Sequence, residues 1–410
     1  LTIHEVLTRA TANAPAVLTA VERARASSAQ IDVNRAQYLP SVSLSTSPSL
    51  SVSNGNYVAA AGVPSVGQTI VSGQIDATVG ARWTIFDFGR TSAAVAVAEA
   101  SARASRIDIE SSRRAAVSAA VAAFYAVVLD QAAVEVARES ERQRTRSLAV
   151  TRGFTDAGAR PPIELTRAEV ALSSARVDIA NALAQLRVDQ TALLAAIGFE
   201  GTEELEVRPP STLPEVVDLT SAAQAASVRP EVLATHQRVQ VADAQARAAQ
   251  RGYWPVLSAN ANASLRYTER FGQPGSGVSE TATAAVSLVW PVFDPTVAAN
   301  VRLAEANASV ARAQDAQTLF AARSEAMQAV VAARVARQAI EQAEVLVRGA
   351  AATLALAEGR YANGAATLIE LVDAQTSDAQ ARGALIRARW QWEAAKARAW
   401  IAQGNTDAFR

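Results

Sequence analysis

From Ser41 to Ser53 the chain reads SVSLSTSPSLSVS: every odd position is serine, and the even positions are Val42, Leu44, Thr46, Pro48, Leu50 and Val52. Alternation this long puts one set of side chains on each face of an extended strand. It does not fit a helix, whose faces repeat about every 3.6 residues. Yet the sequence around it is rich in Ala, Arg, Glu and Gln, residues that favour helices.

Three more segments alternate. From Val71 to Ile85, Val71, Gly73, Ile75, Ala77, Val79, Ala81, Trp83 and Ile85 interleave with polar or small residues. From Leu257 to Thr268, Leu257, Ala259, Ala261, Ala263, Leu265 and Tyr267 alternate with Ser258, Asn260, Asn262, Ser264, Arg266 and Thr268. From Val278 to Trp290 the apolar set is interrupted by Glu280. The four segments read as two hairpins, 41–86 and 257–292, with Gly-rich loops around Gly55–Gly67 and Gly272–Gly277. A dozen residues at about 3.3 Å each give strands of roughly 40 Å, longer than a tilted bilayer-spanning strand needs. One face is small and apolar and the other polar, the pattern of a lipid-facing exterior and a watery lumen. A half-exposed antiparallel sheet of a soluble protein shows the same alternation.

The layout occurs twice. Pro15, Leu18, Tyr38 and Pro40 return as Pro230, Leu233, Tyr253 and Pro255, at a constant spacing of 215. After the second, shorter hairpin, Phe86 and Asp87 match Phe293 and Asp294, and Gly158 matches Gly364. The expected division is a first half over 1–198, a linker over 199–218 with Glu203, Glu204, Glu206, Pro209, Pro210 and Pro214, and a second half over 219–410. Arg90 to Asp156 carries one helical pattern without proline, about 100 Å long. The shorter patterns His4–Gln37 and Pro161–Ile197 together match its length, and Leu219–Arg251 and Thr367–Gln403 do the same for Thr296–Tyr361. Two short helices stacked end to end beside one long partner satisfy this, with alanine allowing close approach. Pro15 and Pro230 are expected to bend or restart the first short helix of each half.

Four strands cannot close a membrane barrel, and open edges are not tolerated in lipid. Two copies would supply eight strands and three would supply twelve. Eight-stranded barrels are filled by side chains, so a lumen lined by serine and asparagine favours twelve.

Composition removes other classes. Net charge is zero, leaving no electrostatic case for a nucleic-acid partner. There is no cysteine, hence no disulfide, thiolate metal site or cysteine nucleophile. His4 and His236 lack neighbours at metal-ligand spacing, and no phosphate loop or serine nucleophile motif is present. No enzyme activity, cofactor or structural metal is expected. No run of eighteen apolar residues is free of charge, so a membrane-spanning helix is not expected. The chain begins at Leu1, and the expectation is an exported protein whose signal peptide has been removed. Trp390, Trp392 and Trp400 on the last helix read as packing residues.

The sequence resembles the TolC-like outer-membrane channel tunnels over nearly its whole length. The likeness is carried by the duplicated layout, by YLPSVSLS and YWPVLSANA entering the hairpins, by WTIFDFGR and WPVFDP leaving them, and by RYANGAATLIELVDAQ at the second tip. It implies an α+β membrane protein: a trimer whose twelve-stranded transmembrane barrel continues into an antiparallel α-helical coiled-coil barrel across the periplasm. It implies a passive exit duct for multidrug efflux or type I protein secretion. Its partners would be two further copies, outer-membrane lipid, a periplasmic adaptor and an inner-membrane ABC or proton-driven transporter. A soluble periplasmic coiled-coil scaffold with a small sheet is the alternative.

The resemblance also suggests sites. Glu370 and Asp373 share a helix face, and threefold symmetry would make them two acidic rings at a periplasmic gate able to bind a blocking cation. Glu370 is read first, however, as the partner of Thr367 in a capping box. Tyr361 matches a tyrosine of the family's closed gate, and Glu164 matches a family aspartate. Ala366 stands where the family has an arginine. Arg160 would restore a cross-tip ion pair from the other side, although a solvated loop arginine is the preferred reading. Gly158 and Gly364 mark the helix-to-helix turns that the family presents to its adaptor, and both also suit a plain helix C-cap.

Overall fold

A computed structural model describes the chain except for residues 58–65, 202–204, 209–212, 215–217, 272–275 and 406–410. The expected hairpin apices, and Glu203, Glu204, Pro209 and Pro210 of the linker, lie outside the described residues. The first part of the chain forms α1 (Ile3–Asn13), α2 (Pro15–Arg35), β1 (Ser41–Tyr57), β2 (Val66–Phe86), α3 (Arg90–Asp156) and α4 (Pro162–Ala196). The second forms α5 (Leu219–Ala225), α6 (Pro230–Gln250), β3 (Val256–Phe271), β4 (Gly277–Val289), α7 (Pro295–Ala362) and α8 (Leu368–Ala402).

Local chemistry sets the ends of these helices. Thr2 and Glu5 form a capping box on α1. Pro15 opens α2 after Ala14 leaves the helical region (ψ 129°), and Pro230 opens α6, so each proline restarts a helix rather than bending one. Asp87 caps α3, accepting from the backbone N–H groups of Gly89, Arg90 and Thr91. Asp294 caps α7 through the Thr296 N–H at 2.9 Å. Four helices stop at glycines in the left-handed region: Gly158, Gly198, Gly364 and Gly404, with φ of 71°, 69°, 74° and 77°. At each, the next residue's N–H reaches back to close the final turn, as Ala159 does to the Phe154 carbonyl and Ala365 to that of Arg360.

Two compact units emerge. The first holds Leu1–Ala24, Ala104–His236 and Ala313–Arg410, and the second Arg25–Arg103 and Gln237–Arg312. The main core of the first unit gathers Val6 and Ala10 of α1, Val117, Val121, Phe124 and Val128 of α3, Leu193 and Ile197 at the end of α4, and Ala397 and Ile401 of α8. By length and composition alone, α3 carries a stretch apolar enough to cross a membrane, contrary to expectation. Of the apolar side chains on α3, Val117, Val121, Phe124 and Val128 belong to this helical core. Trp390 and Trp400 pack against it.

The same unit buries the only lysine. Lys396 is 1% exposed and donates to Glu393 at 2.9 Å and to the Leu213 carbonyl at 2.7 Å, with Nζ 3.7 Å from the Trp392 ring centroid. Glu393 accepts from the Leu213 N–H, and Trp400 donates to the Pro214 carbonyl. A buried charge persists only where paired. Here the pair fastens the segment at Leu213 onto α8.

The second unit contains one antiparallel sheet in the order β1-β2-β3-β4. β1 pairs with β2 from Ser41↔Arg82 to Tyr57↔Val66, so both strands run further than the alternation alone suggests. β2 pairs with β3, joining the two hairpins, with an irregularity near Phe86.

Candidate functional site

At the first tip, between α3 and α4, Arg160 is partly buried rather than a solvated loop residue: its side chain and that of Glu164 are 14% and 13% exposed. Arg160 Nη1 lies 3.3 Å from Glu164 Oε1, and Nη2 donates to the Ala366 carbonyl at 2.8 Å. The guanidinium stacks over Tyr361 of α7. Tyr361 is 1% exposed, with its hydroxyl 2.8 Å from Thr151 Oγ1 of α3 and 3.4 Å from Glu164 Oε2. Phe154 meets the Tyr361 ring edge-on at 6.0 Å. Burial pushes the Tyr361 hydroxyl above its ordinary range, and the Glu164 carboxylate adds to this, so the phenol stays a proton donor. The two tips are thus tied within one chain. Ala366 of the second tip contributes its backbone carbonyl, and the cation comes from the opposite tip.

Below this network the tip is apolar, with Leu354, Leu368, Leu371 and Ala374 around Tyr361 and Ala366. One turn further, Gln375 donates to Ser147 at 2.6 Å and Arg144 donates to Thr376 at 2.8 Å, fastening α8 to α3.

Thr367 caps α8, its Oγ1 accepting from the Glu370 N–H at 3.3 Å. Glu370 does not return to the Thr367 backbone, so the capping box remains half made. Its carboxylate lies 3.3 Å from Arg360 Nη1, because the turn at Gly364 brings the last turn of α7 beside the first turn of α8. Asp373 is exposed and, among the described residues, has no hydrogen bond or ion pair. A Cβ on Gly158 or Gly364 would meet nothing within 4 Å, so conformation, not space, calls for glycine at both turns. Thr151, Arg360 and the Ala366 carbonyl went unremarked in the sequence. A tyrosine with matched acids on two tips was the available hint that a cation must join them.

The sheet has two distinct faces. Leu44 lies opposite Val79, Val79 opposite Ala263, and Ala263 opposite Ala282, forming one apolar row. The neighbouring row is Ser43, Gly80, Asn262 and Thr283. Leu44 is 76% exposed, and Val42, Leu50, Val278, Val286 and Leu288 are also exposed. Glu280 sits on this apolar face opposite Leu265. On the polar face Arg266 pairs with Asp76 at 2.6 Å, and Arg82 donates to Asn260 at 3.3 Å. Aromatic residues cluster where the strands meet the helices. Trp83 donates to the Tyr38 carbonyl at 2.9 Å and Trp290 to that of Tyr253 at 3.1 Å. Within this sheet β1 and β4 each have one partner, so each presents an open edge.

Reactive chemistry is sparse. Among the described residues no three His, Cys, Asp or Glu converge on a metal-sized space. His236 Nδ1 lies 3.7 Å from Asp315.

A model of the outer membrane efflux protein family matches residues 6–199 and 222–398. Outer membrane protein OprJ of Pseudomonas aeruginosa is 25% identical over 244 residues, covering 58% of this chain and 51% of OprJ, so the match spans about half the length of that relative. The probable efflux pump outer membrane protein TtgC of Pseudomonas putida is 23% identical over 367 residues, covering 88% of this chain and 76% of TtgC. The crystal structure of a membrane protein from Pseudomonas aeruginosa shares the fold, with a TM-score of 0.76 at 22% identity, covering 98% of this chain and 93% of that one.

Proposed function

This chain belongs to the outer membrane efflux protein family, and from that premise we propose that three copies form a passive exit duct across the outer membrane. The carrying observation is the sheet: four long amphipathic strands with an exposed apolar face and an open edge on both outer strands. Such edges in lipid must be paired. Pairing β4 of one copy with β1 of the next, three times over, closes twelve strands with the serine- and asparagine-rich rows inward and the Leu44 rows toward lipid. The aromatic cluster around Trp83 and Trp290 suits a membrane–water boundary.

The chain reads as one structural half used twice, 1–198 and 219–410, joined by 199–218. The recurring order of helices and strands and the common spacing of 206 between Gly158 and Gly364 and between Gly198 and Gly404 support this. The helices would extend the duct into the periplasm, with the two tips as its gate. In that gate Arg160, Glu164 and Tyr361 hold the closed form, while Glu370 and Asp373 line the opening in rings. The turns at Gly158 and Gly364 would meet a periplasmic adaptor, which joins the duct to an inner-membrane transporter. Small-molecule efflux is favoured over type I protein secretion, because a relative is named as an efflux pump component.

The test is conductance. Purified protein added to a planar bilayer is expected to insert and give discrete single-channel steps. Protein that stays soluble without detergent and never conducts would point to the periplasmic scaffold instead.

A further inference from the structure

Taking these tips as the channel's gate, we infer that Arg360 sets the gate's charge by neutralising Glu370, leaving Asp373 as the one acidic ring that an entering cation meets. The Arg360 guanidinium is held at two points: Nη1 stands 3.3 Å from Glu370 Oε2, and Nη2 donates to the Ala365 carbonyl at 3.2 Å. The backbone fixes the Ala365 carbonyl and the place from which the Glu370 side chain reaches. The Ala365 N–H closes the end of α7 on the Arg360 carbonyl at 2.8 Å, and Gly364 turns the chain with φ 74°. The Glu370 N–H is bound to Thr367 Oγ1, which sets the first turn of α8 beside the guanidinium.

Asp373 lies three residues along α8, exposed and without such a partner among the described residues. An exposed ion pair adds little stability. Its field is another matter, because a paired plus and minus act as a dipole that fades faster with distance than a lone carboxylate. Each chain therefore presents one net negative charge at this face instead of two. In three copies the opening holds three uncompensated carboxylates rather than six.

The pairing assigns Arg360 a role that the acidic residues alone do not reveal. It keeps cation affinity at the opening low while leaving a second ring in reserve, which exposure of Glu370 would add.

The experiment is single-channel recording of the full-length trimer in a planar bilayer, titrated with lanthanum ion from the side carrying the tips. Asp373→Asn is expected to weaken block by about tenfold or more, and Glu370→Gln, which leaves the Arg360 charge unopposed, by only about threefold. Arg360→Gln, which keeps a donor for the Ala365 carbonyl, is expected to tighten block by about threefold or more. The double variant Arg360→Gln/Glu370→Gln should return to the parent value. Equal weakening by Glu370→Gln and Asp373→Asn, with Arg360→Gln inert, would overturn the role of Arg360 and leave the acidic gate standing. Block unchanged in every variant would overturn both. Trimer mobility on a native gel confirms that each variant is assembled before it is recorded.

Discussion

The guanidinium of Arg160 lies over the ring of Tyr361, with Cζ 5.0 Å from the ring centroid. These residues belong to different tips, and the contact makes the two helix turns one body. Arg160→Ala leaves Glu164 without its cation and the Ala366 carbonyl without its donor, at a cost of about 1–3 kcal/mol. Arg160→Lys should recover only part of this, because an ammonium cannot bond both acceptors and stack flat on the ring. Tyr361→Phe removes a single hydroxyl and should cost about 1 kcal/mol. Hydrogen exchange at the tip amides reads the loosening. Single-channel recording should show the Arg160→Ala channel open more often than the parent.

The strand faces make unequal demands. An arginine at Leu44 would meet lipid and should impair insertion by about 2–4 kcal/mol if it lies near the midplane. An arginine at Ser43, on the row with Asn262 and Thr283, should be tolerated. Equal loss of membrane-inserted protein in both variants would exclude the assigned faces.

Glycine at two helix ends serves two different needs. An added Cβ at Gly158 meets nothing, so Gly158→Ala should cost only the left-handed backbone penalty, about 1–2 kcal/mol. At Gly198 the same Cβ would fall 2.2 Å from the Asn13 carbonyl oxygen, against the end of α1. Gly198→Ala should therefore lower the thermal midpoint clearly more than Gly158→Ala.

Asp130 on α3 gives the helical unit a pH dependence. Burial, reinforced by Asp189 of α4, pushes the Asp130 carboxyl up to about 7. The folded protein then holds a proton that the unfolded chain has already released between the ordinary carboxylate range and about pH 7. Stability from this site is full below that range and is lost as pH rises through about 7. Thermal midpoints measured at about pH 5 and about pH 8 should fall toward the higher value, and Asp130→Asn should flatten the difference.

What was legible in the sequence follows from what is local. The helix read over Arg90 to Asp156 is α3 with the same ends, because a capping aspartate and a C-terminal glycine lie within a few residues of those ends. The strands at Ser41 and Phe86 were visible in their period. The partial burial of Arg160 was not, since its neighbours Tyr361 and Ala366 are about two hundred residues away and a cation before two prolines reads as a loop. Glu370 had a local explanation in Thr367, yet its carboxylate turned to Arg360 because the Gly364 turn fixes that distance. Nor was the burial of Lys396 legible, since the Leu213 carbonyl that takes its ammonium lies 183 residues away.

The central claim is that three copies close one barrel through the free edges of β1 and β4. The mass of the protein in mild detergent, with bound detergent subtracted, tests it most directly. One chain is 42.9 kDa. The account predicts a single species of three times that mass, and a stable monomer or dimer that still conducts would contradict it.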